Sequence, residues 1–231
     1  MRLLAFETST EACSVAVFVD GQVHERFEIA PRRHTELALP WAQALLAEAG
    51  VSRSQLDAIA VGRGPGAFTG VRLAIAIAQG IALGLDRPVL PVSTLAALAM
   101  RADGERRIAA IDARMGEVYL GAFACEADGG LRALADEIVV APAAAALPDG
   151  SGWHGAGTGF AAAEGALRAR FGDRLVAVDA AALPHAADVA ALAALAFARG
   201  EALAPERIEP AYLRNNVALT IAERAAQGIT R

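Results

Sequence analysis

The sequence contains no lysine, so all 21 of its Lys and Arg side chains are arginines, and it has only two cysteines. A Walker A phosphate loop is excluded, because that motif needs a lysine that reaches the nucleotide phosphates. Cys13 and Cys125 form neither a C-x-x-C pair nor a disulfide framework. Both lie in apolar, strand-like stretches, where we expect inert core thiols; a reactive role for either stays open.

Aromatic residues are also scarce, at 5% of the chain, although hydrophobic residues make up 55%. The excess is alanine, which favours helices and close packing. Arg72, Gln79 and Asp86 interrupt the apolar runs, so we expect none to reach the roughly 18 residues that span a membrane. Glu7 follows the N-terminus too closely to leave room for a secretory hydrophobic region. These features predict a cytoplasmic protein.

The charge balance is mildly acidic, with a formal net charge of −5. This disfavours a protein that grips nucleic acid by itself over a broad surface. Small arginine clusters occur at Arg32-Arg33, and at Arg101 with Arg106-Arg107. We interpret them as solvated surface; contact with an RNA that is held mainly by a partner is the sharper alternative.

The most informative stretch covers residues 61–85 and reads VGRGPGAFTGVRLAIAIAQGIALGL. Its glycines and proline predict a tight turn, and Thr69 is the expected N-cap of a helix over 71–85. Two interpretations of the turn stay open. Its free N–H groups at a helix start bind an anion, or it is a plain turn that leads into a core helix.

The predicted helix is apolar almost all the way round, and Arg72 and Gln79 fall on one narrow line along it. Such a helix is covered on two sides. Nearly opposite the expected sheet-facing row, Ala76 and Gly80 would let a second helix approach closely, with Leu83 beside them. The row of large side chains expected to pack on the protein's own sheet is Leu73, Ile77, Ile81 and Leu85.

Four sequence blocks, in this order, resemble the TsaB (YeaZ) family and its larger paralogue, TsaD. They span nearly the whole chain: 7–16 (ETSTEACSVA), 64–72 (GPGAFTGVR), 112–119 (DARMGEVY) and 210–214 (PAYLR). Both families belong to the actin-like ATPase superfamily, with sugar kinases, Hsp70 and actin.

The resemblance implies an α/β, two-lobed actin-like fold of the ribonuclease H-like class, with mixed sheets flanked by helices. A polar stretch at 102–107 is the one clear boundary in composition. We therefore expect a first lobe over 1–105, a second, smaller lobe over 106–207, and a C-terminal segment over 208–231 that returns to the first lobe. A last helix is expected over 217–226.

In the superfamily, the turn after the first strand and later glycine turns hold a nucleotide. The resemblance therefore implies where a vestigial nucleotide site would lie in this chain. Local interpretations compete with this one: hydroxyls of the first turn satisfy their own backbone, and 155–159 is a plain glycine turn. The residues of the implied site are Glu7, Thr8, Ser9, Gly64, Gly66, Thr69, Gly155, Gly157 and Gly159.

TsaD uses an H-x-x-x-H pair on its first long helix to ligate metal, and that pair is incomplete here. His34 is followed four residues later by Ala38, and the other histidines are dispersed. Neither a Ser-His-Asp nor a Cys-His nor a paired-carboxylate arrangement stands out. We expect no metal, no cofactor and no catalytic residue: a paralogue that kept the fold and lost the site.

The resemblance then implies a non-catalytic scaffold and activator of the TsaD threonylcarbamoyltransferase, in the bacterial synthesis of tRNA N6-threonylcarbamoyladenosine (t6A). The implied partners are TsaD in a heterodimer, the ATPase TsaE, and tRNA only through the complex, with a homodimer when TsaD is absent. The alternative is an enzyme acting on its own, either an actin-like ATPase or kinase or a peptidase-like protein.

The expected TsaD interface combines the outer face of the central helix with the preceding helix, over 35–49. The alternative is that the chain's own C-terminal helix covers this face. The interface residues are Arg72, Ala76, Gln79, Gly80, Leu83, Leu37 and Trp41.

Overall fold

The computed structural model describes residues 1–146 and 148–214. The first sheet has five strands in the order β3-β2-β1-β4-β5. A hairpin meander joins the first three as antiparallel neighbours, and the last two extend the sheet parallel to β1. The strands are β1 (Arg2–Glu7), β2 (Ala12–Val19), β3 (Gln22–Ile29), β4 (Ala58–Gly62) and β5 (Val89–Val92).

Both faces of this sheet are covered, as the alternation along β1 requires. Leu4 and Phe6 point into one core layer, and Leu3 and Ala5 point into the other. The first layer is closed by α1 (His34–Glu48) and α2 (Phe68–Leu85). The second layer is closed by α5 (Ala186–Ala198), which comes from far along the chain.

The second sheet has six strands, in the order β11-β10-β6-β7-β8 with β9 also paired to β7. Helix α3 (Thr94–Ala99) contributes to the cores of both sheets, and α4 (Ala162–Phe171) packs on the second. The expectation of mixed sheets flanked by helices is confirmed. The strands are β6 (Arg106–Arg114), β7 (Glu117–Cys125), β8 (Leu131–Ala133), β9 (Ile138–Val140), β10 (Trp153–Ala156) and β11 (Leu175–Asp179).

Helix α2 differs from its prediction in the face that it buries. The expected row at 73, 77, 81 and 85 is only half-buried. The buried row is instead Val71, Ala74, Ile75, Ala78 and Ala82. Small side chains on the buried row let the helix lie close to the sheet, while the larger ones flank the contact. Periodicity alone could not choose between these faces, because both are apolar.

The start of α2 also differs from its prediction. The N-cap is Ala67, which has no side-chain cap, and Thr69 lies exposed in the first turn. The position is set by the backbone: the Ala67 N–H donates to the carbonyl oxygen of Ser9 at 2.7 Å, and the Ala67 carbonyl accepts from Val71 at 3.0 Å. The contact with Ser9, in the turn that follows β1, therefore fixes where the helix starts.

Helix α2 is longer than predicted, because it begins at Phe68 and not at residue 71. Its 18 residues have a mean hydropathy of 1.6, so by length and composition alone they would cross a membrane, and the expectation that Arg72 and Gln79 prevent this was wrong. Here the helix lies against the first sheet with its buried row in the core. A core helix passes the same test.

Residues 2–92 supply the five strands of the first sheet and residues 106–179 supply the six strands of the second. Residues 186–203, which the sequence analysis assigned to the second lobe, pack on the first sheet through α5 and through a bridge between Val89 and Leu203. The division at 105 and 207 stays a prediction. The helix expected over 217–226 lies outside the described residues.

Candidate functional site

Glu7, at the end of β1, is fully buried and bonded within the fold. Its Oε1 accepts from the Ser9 N–H at 2.7 Å, and its Oε2 accepts from the Thr94 hydroxyl at 2.9 Å. Burial raises the pKa of the Glu7 carboxyl above its usual value, although these hydrogen bonds oppose the shift. An ideal Cβ on Gly62 would lie 1.9 Å from Oε2. The Glu7 carboxyl therefore stabilises the turn that follows β1 by joining it to Thr94.

The glycine turn before α2 packs directly against the backbone of the turn that follows β1. An ideal Cβ on Gly66 would lie 2.5 Å from the carbonyl oxygen of Ser9, and one on Gly70 would lie 2.0 Å from that of Thr8. Glycine is needed at both places for this approach. The plain-turn interpretation therefore describes the geometry better than a phosphate cradle does.

The second glycine turn, which follows β10, is filled in the same way. Gly157 has φ +113°, and its N–H donates to the carbonyl oxygen of Asp179 at 2.9 Å. An ideal Cβ on Gly157 would lie 2.2 Å from the carbonyl oxygen of Ala110, and one on Gly159 would lie 2.7 Å from the Ala110 Cβ. Gly155 approaches the Phe160 ring just as closely. Gly157 and Gly159 thus let this turn lie against β6, and Gly155 leaves room for the Phe160 ring.

A cleft of about 720 Å³ opens between the two sheets. Of the residues predicted for a vestigial nucleotide site, only Ser9 and Gly66 line it, together with Thr158 from the second glycine turn. The Ser9 hydroxyl is buried without a partner among the described residues. Arginines dominate the charged lining: Arg32, Arg72, Arg114 and Arg214, against Glu11 and Asp112.

The C-terminal segment 205–214 runs along α2 and then across the cleft. Gln79 donates to the carbonyl oxygens of Pro205 at 2.8 Å and Ile208 at 3.3 Å. At the far end, Arg214 donates to the Ala113 carbonyl at 3.1 Å and pairs with Glu117. The PAYLR block thus ties α2 to the β6–β7 hairpin. The return of segment 208–231 to the first lobe stays a prediction, and its residues beyond 214 lie outside the described chain.

Arg72 lies at the centre of this crossing. Its guanidinium carbon is 3.2 Å from the Phe68 ring centroid and 5.0 Å from the Tyr212 ring centroid. The same guanidinium donates to the Tyr212 hydroxyl and to the Phe68 carbonyl. Neither Phe68 nor Tyr212 was predicted from the sequence, although Phe68 lies in the block 64–72 and Tyr212 in the block 210–214. The available signal was an aromatic residue inside each of two family blocks, in a chain that is only 5% aromatic.

His34 lies at the first turn of α1 and is committed to the backbone. Its Nε2 is 3.0 Å from the Thr10 carbonyl oxygen and 3.1 Å from that of Ala12. Within the described residues, no group of three His, Cys, Asp or Glu side chains lies close enough to hold a metal ion. The geometry gives His34 a structural role, in keeping with its place near a helix start.

The outer face of α2 is open in the described chain. Ala76, Gly80 and Leu83 are all exposed, Leu83 by 63%, and an ideal Cβ on Gly80 would meet nothing within 4 Å. Of the other residues predicted for an interface, Leu37 and Trp41 on α1 are half-buried against the core below α2. Arg72 and Gln79 form one edge of the face and are bonded to segment 205–212.

The chain is similar to known proteins over most of its length. The family model described as TsaD, tRNA N6-adenosine threonylcarbamoyltransferase, matches residues 20–222. The tRNA threonylcarbamoyladenosine biosynthesis protein TsaB of Escherichia coli (strain K12) is 44% identical over 225 residues, which are 94% of this chain and 96% of the relative. The protein of the same name from Haemophilus influenzae is 51% identical over 123 residues, 52% of each chain.

A solved structure agrees with these relatives. The chain is similar to YeaZ from Pseudomonas aeruginosa, with a TM-score of 0.84 and 49% identity over 92% of this chain and 99% of that one. The fold is therefore the actin-like one that the sequence implied.

Proposed function

This chain belongs to the TsaB family of tRNA threonylcarbamoyladenosine biosynthesis proteins, and on that premise we propose that it is the non-catalytic scaffold and activator of a TsaD threonylcarbamoyltransferase. It takes part in t6A biosynthesis as a subunit. Its partners are a TsaD homologue, the TsaE ATPase and, through the complex, tRNA. A cytoplasmic location and a homodimer in the absence of TsaD belong to the same proposal.

The observation that carries the proposal is the open outer face of α2. It is apolar, rich in small side chains, and bordered by the polar edge that Arg72 and Gln79 form with segment 205–212. Small residues permit close helix–helix approach, and an apolar centre with a polar rim is typical of a protein interface. We assign this face, with Leu37 and Trp41 beside it, to TsaD.

The non-catalytic part of the proposal is supported by the filled turns. The Glu7 carboxyl is bonded inside the fold, and both glycine turns pack against backbone, so neither offers a cradle for a polyphosphate. An activator without its own chemistry acts by fixing the conformation of its partner, which requires differential contacts through an interface.

Co-purification tests this function. The tagged chain should elute with a TsaD homologue from the same cells, and deleting its gene should remove t6A from tRNA. Separate elution with unchanged t6A would contradict the proposal. The alternative, an ATPase or kinase acting on its own, predicts ATP turnover by the isolated chain that Glu7→Ala abolishes; we expect turnover at background.

A further inference from the structure

The mouth of the cleft carries exposed aromatic rings next to arginines. Phe68 is 66% exposed and Tyr212 is 56% exposed, and the Arg72 guanidinium lies against both rings. The hairpin tip opposite presents Arg114, with its side chain 83% exposed. Aromatic faces that stack on bases, beside arginines that follow phosphates, are the combination by which proteins hold single-stranded nucleic acid.

We propose that this aromatic and arginine platform, formed by Phe68, Arg72, Tyr212 and Arg114, binds an unpaired segment of the tRNA directly while the chain is in the transferase complex. The identity of the RNA rests on the proposed function. The platform itself rests on the geometry of the cleft mouth.

The charges at this site differ in sign from those of the whole chain. Four arginines and two acids line the cleft, although the net charge of the protein is −5. Arg114 is paired with Asp112 at 2.9 Å and Arg214 with Glu117. Among the described residues, Arg32 and Arg72 have no carboxylate partner, so their charge is available to phosphates. An acidic protein with one local basic site would contact RNA only over a small area, which fits an RNA that a partner also holds.

The filled glycine turns indicate that the ligand of the cleft mouth is a nucleic-acid strand and not a free nucleotide. A mononucleotide with a polyphosphate needs a cradle of backbone N–H groups, and here Ala67 N–H is bonded to Ser9 while Gly157 N–H is bonded to Asp179. What stays accessible at the cleft mouth is ring faces and guanidinium groups. These groups recognise stacked bases and a sugar–phosphate backbone, which are the features of an unpaired loop.

Crosslinking in the reconstituted complex tests the platform. A tRNA carrying 4-thiouridine in the anticodon loop would be irradiated with the chain and TsaD, and crosslinked peptides identified by mass spectrometry. We expect crosslinks to this chain at Phe68 or Tyr212. Phe68→Ala should reduce them about ten-fold, and Arg32→Ala, which removes from the cleft lining a charge left unpaired by the described residues, should reduce the salt dependence of RNA binding by about 0.7 in the log–log slope.

Matched controls lie on the second sheet. Val176→Ala removes an equally exposed apolar side chain from β11, and Arg132→Ala removes an exposed arginine from β8. Both should leave the crosslinks and the salt slope unchanged. Equal losses in the controls would overturn the proposal.

Three further outcomes would also overturn it. Crosslinks confined to TsaD would leave this chain without an RNA contact. Release of TsaD by Phe68→Ala would assign the platform to a protein partner. Displacement of the crosslinks by an equal concentration of ATP would assign it to a mononucleotide. If the chain does not co-elute with TsaD, the proposed function fails, and crosslinking to the isolated chain then decides: crosslinks at Phe68 or Tyr212 retain the platform, and their absence removes it.

Discussion

The hydroxyl of Thr8 donates a 2.7 Å hydrogen bond to the carbonyl oxygen of Gly70, which lies 62 residues away in sequence. This bond joins the turn after β1 to the first turn of α2. Together with the bond from Ala67 N–H to Ser9 O, it makes the two loops one structural unit. The two loops in which the resemblance placed a vestigial nucleotide site are therefore bonded to each other.

Substituting glycine by alanine on α2 should lower stability where the glycine contacts the turn after β1, and should not lower it where the glycine faces open space. In Gly70→Ala the new Cβ would lie 2.0 Å from a backbone oxygen that cannot rotate away. We expect a loss of about 1–3 kcal/mol in the free energy of unfolding, or failure to fold. The matched control is Gly80→Ala on the same helix, where the Cβ meets nothing; it should gain up to about 1 kcal/mol. Chemical denaturation measures both, and equal stabilities would contradict the close approach.

A large charged side chain on the open face should block the partner without unfolding the chain. Because space is free around Gly80, Gly80→Arg should melt no lower than the natural protein, yet lose association with TsaD and lower t6A. Ala169→Arg, on the exposed side of α4, should keep both. Circular dichroism and size-exclusion with TsaD check these outcomes. A folded Gly80→Arg that still co-elutes would assign the interface elsewhere, and an unfolded one would mean that the chain itself covers this face.

Stability should depend on pH through Asp188, in the first turn of α5. Burial raises its carboxyl pKa from 3.8 to about 6, although Arg101, 3.6 Å away, opposes the shift. Because the folded-state pKa exceeds the unfolded value, the native state binds the extra proton. Its stabilising contribution is present below about pH 4 and is lost as the pH rises through about 6.

Asp188→Asn should remove that dependence. At neutral pH the variant should be more stable than the natural protein by up to about 3 kcal/mol, and the advantage should shrink as the pH falls toward 4. Urea unfolding of both proteins across this range measures the difference. A difference that does not vary with pH would show that Asp188 keeps its ordinary pKa.

The two cysteines should react very differently. Cys13 is fully buried in the first core, where burial raises its thiol pKa to about 11. Cys125, expected to be a core thiol as well, is instead half-exposed at the end of β7, with its thiol 3.3 Å from the Gly104 carbonyl oxygen. At about pH 8, iodoacetamide should alkylate Cys125 and spare Cys13 in the folded protein, because the thiolate is the nucleophile. Denaturant should expose both, and early alkylation of Cys13 would contradict its burial.

His34 should prove structural and not metal-binding. Since both neighbours of Nε2 are carbonyl oxygens, His34→Ala should cost about 1 kcal/mol of stability while t6A formation stays nearly intact. Elemental analysis of the natural protein should find no stoichiometric transition metal. Close to one iron or zinc per chain, lost in the variant, would reverse this assignment.

Local signals in the sequence were sufficient for the turn at 62–66 and for an apolar helix after it, whereas the mixed sheets were implied by the family resemblance. Glycine and proline restrict the turn by themselves, and the chain after it is apolar and has no further proline until Pro88. The boundary at 102–107, where polar residues interrupt otherwise apolar elements, stays a prediction from composition. The family blocks identified the fold because they are spread over most of the chain.

Tertiary structure alone decided which face of α2 is buried, that Glu7 is closed off, and that Arg72 meets Tyr212 across 140 residues of sequence. An all-round apolar helix has no polar side to mark its exposure, so packing against the sheet chose the small-residue row. Contacts between distant segments depend on how the chain returns to itself, as α5 and segment 205–214 do, and no local pattern records such a return.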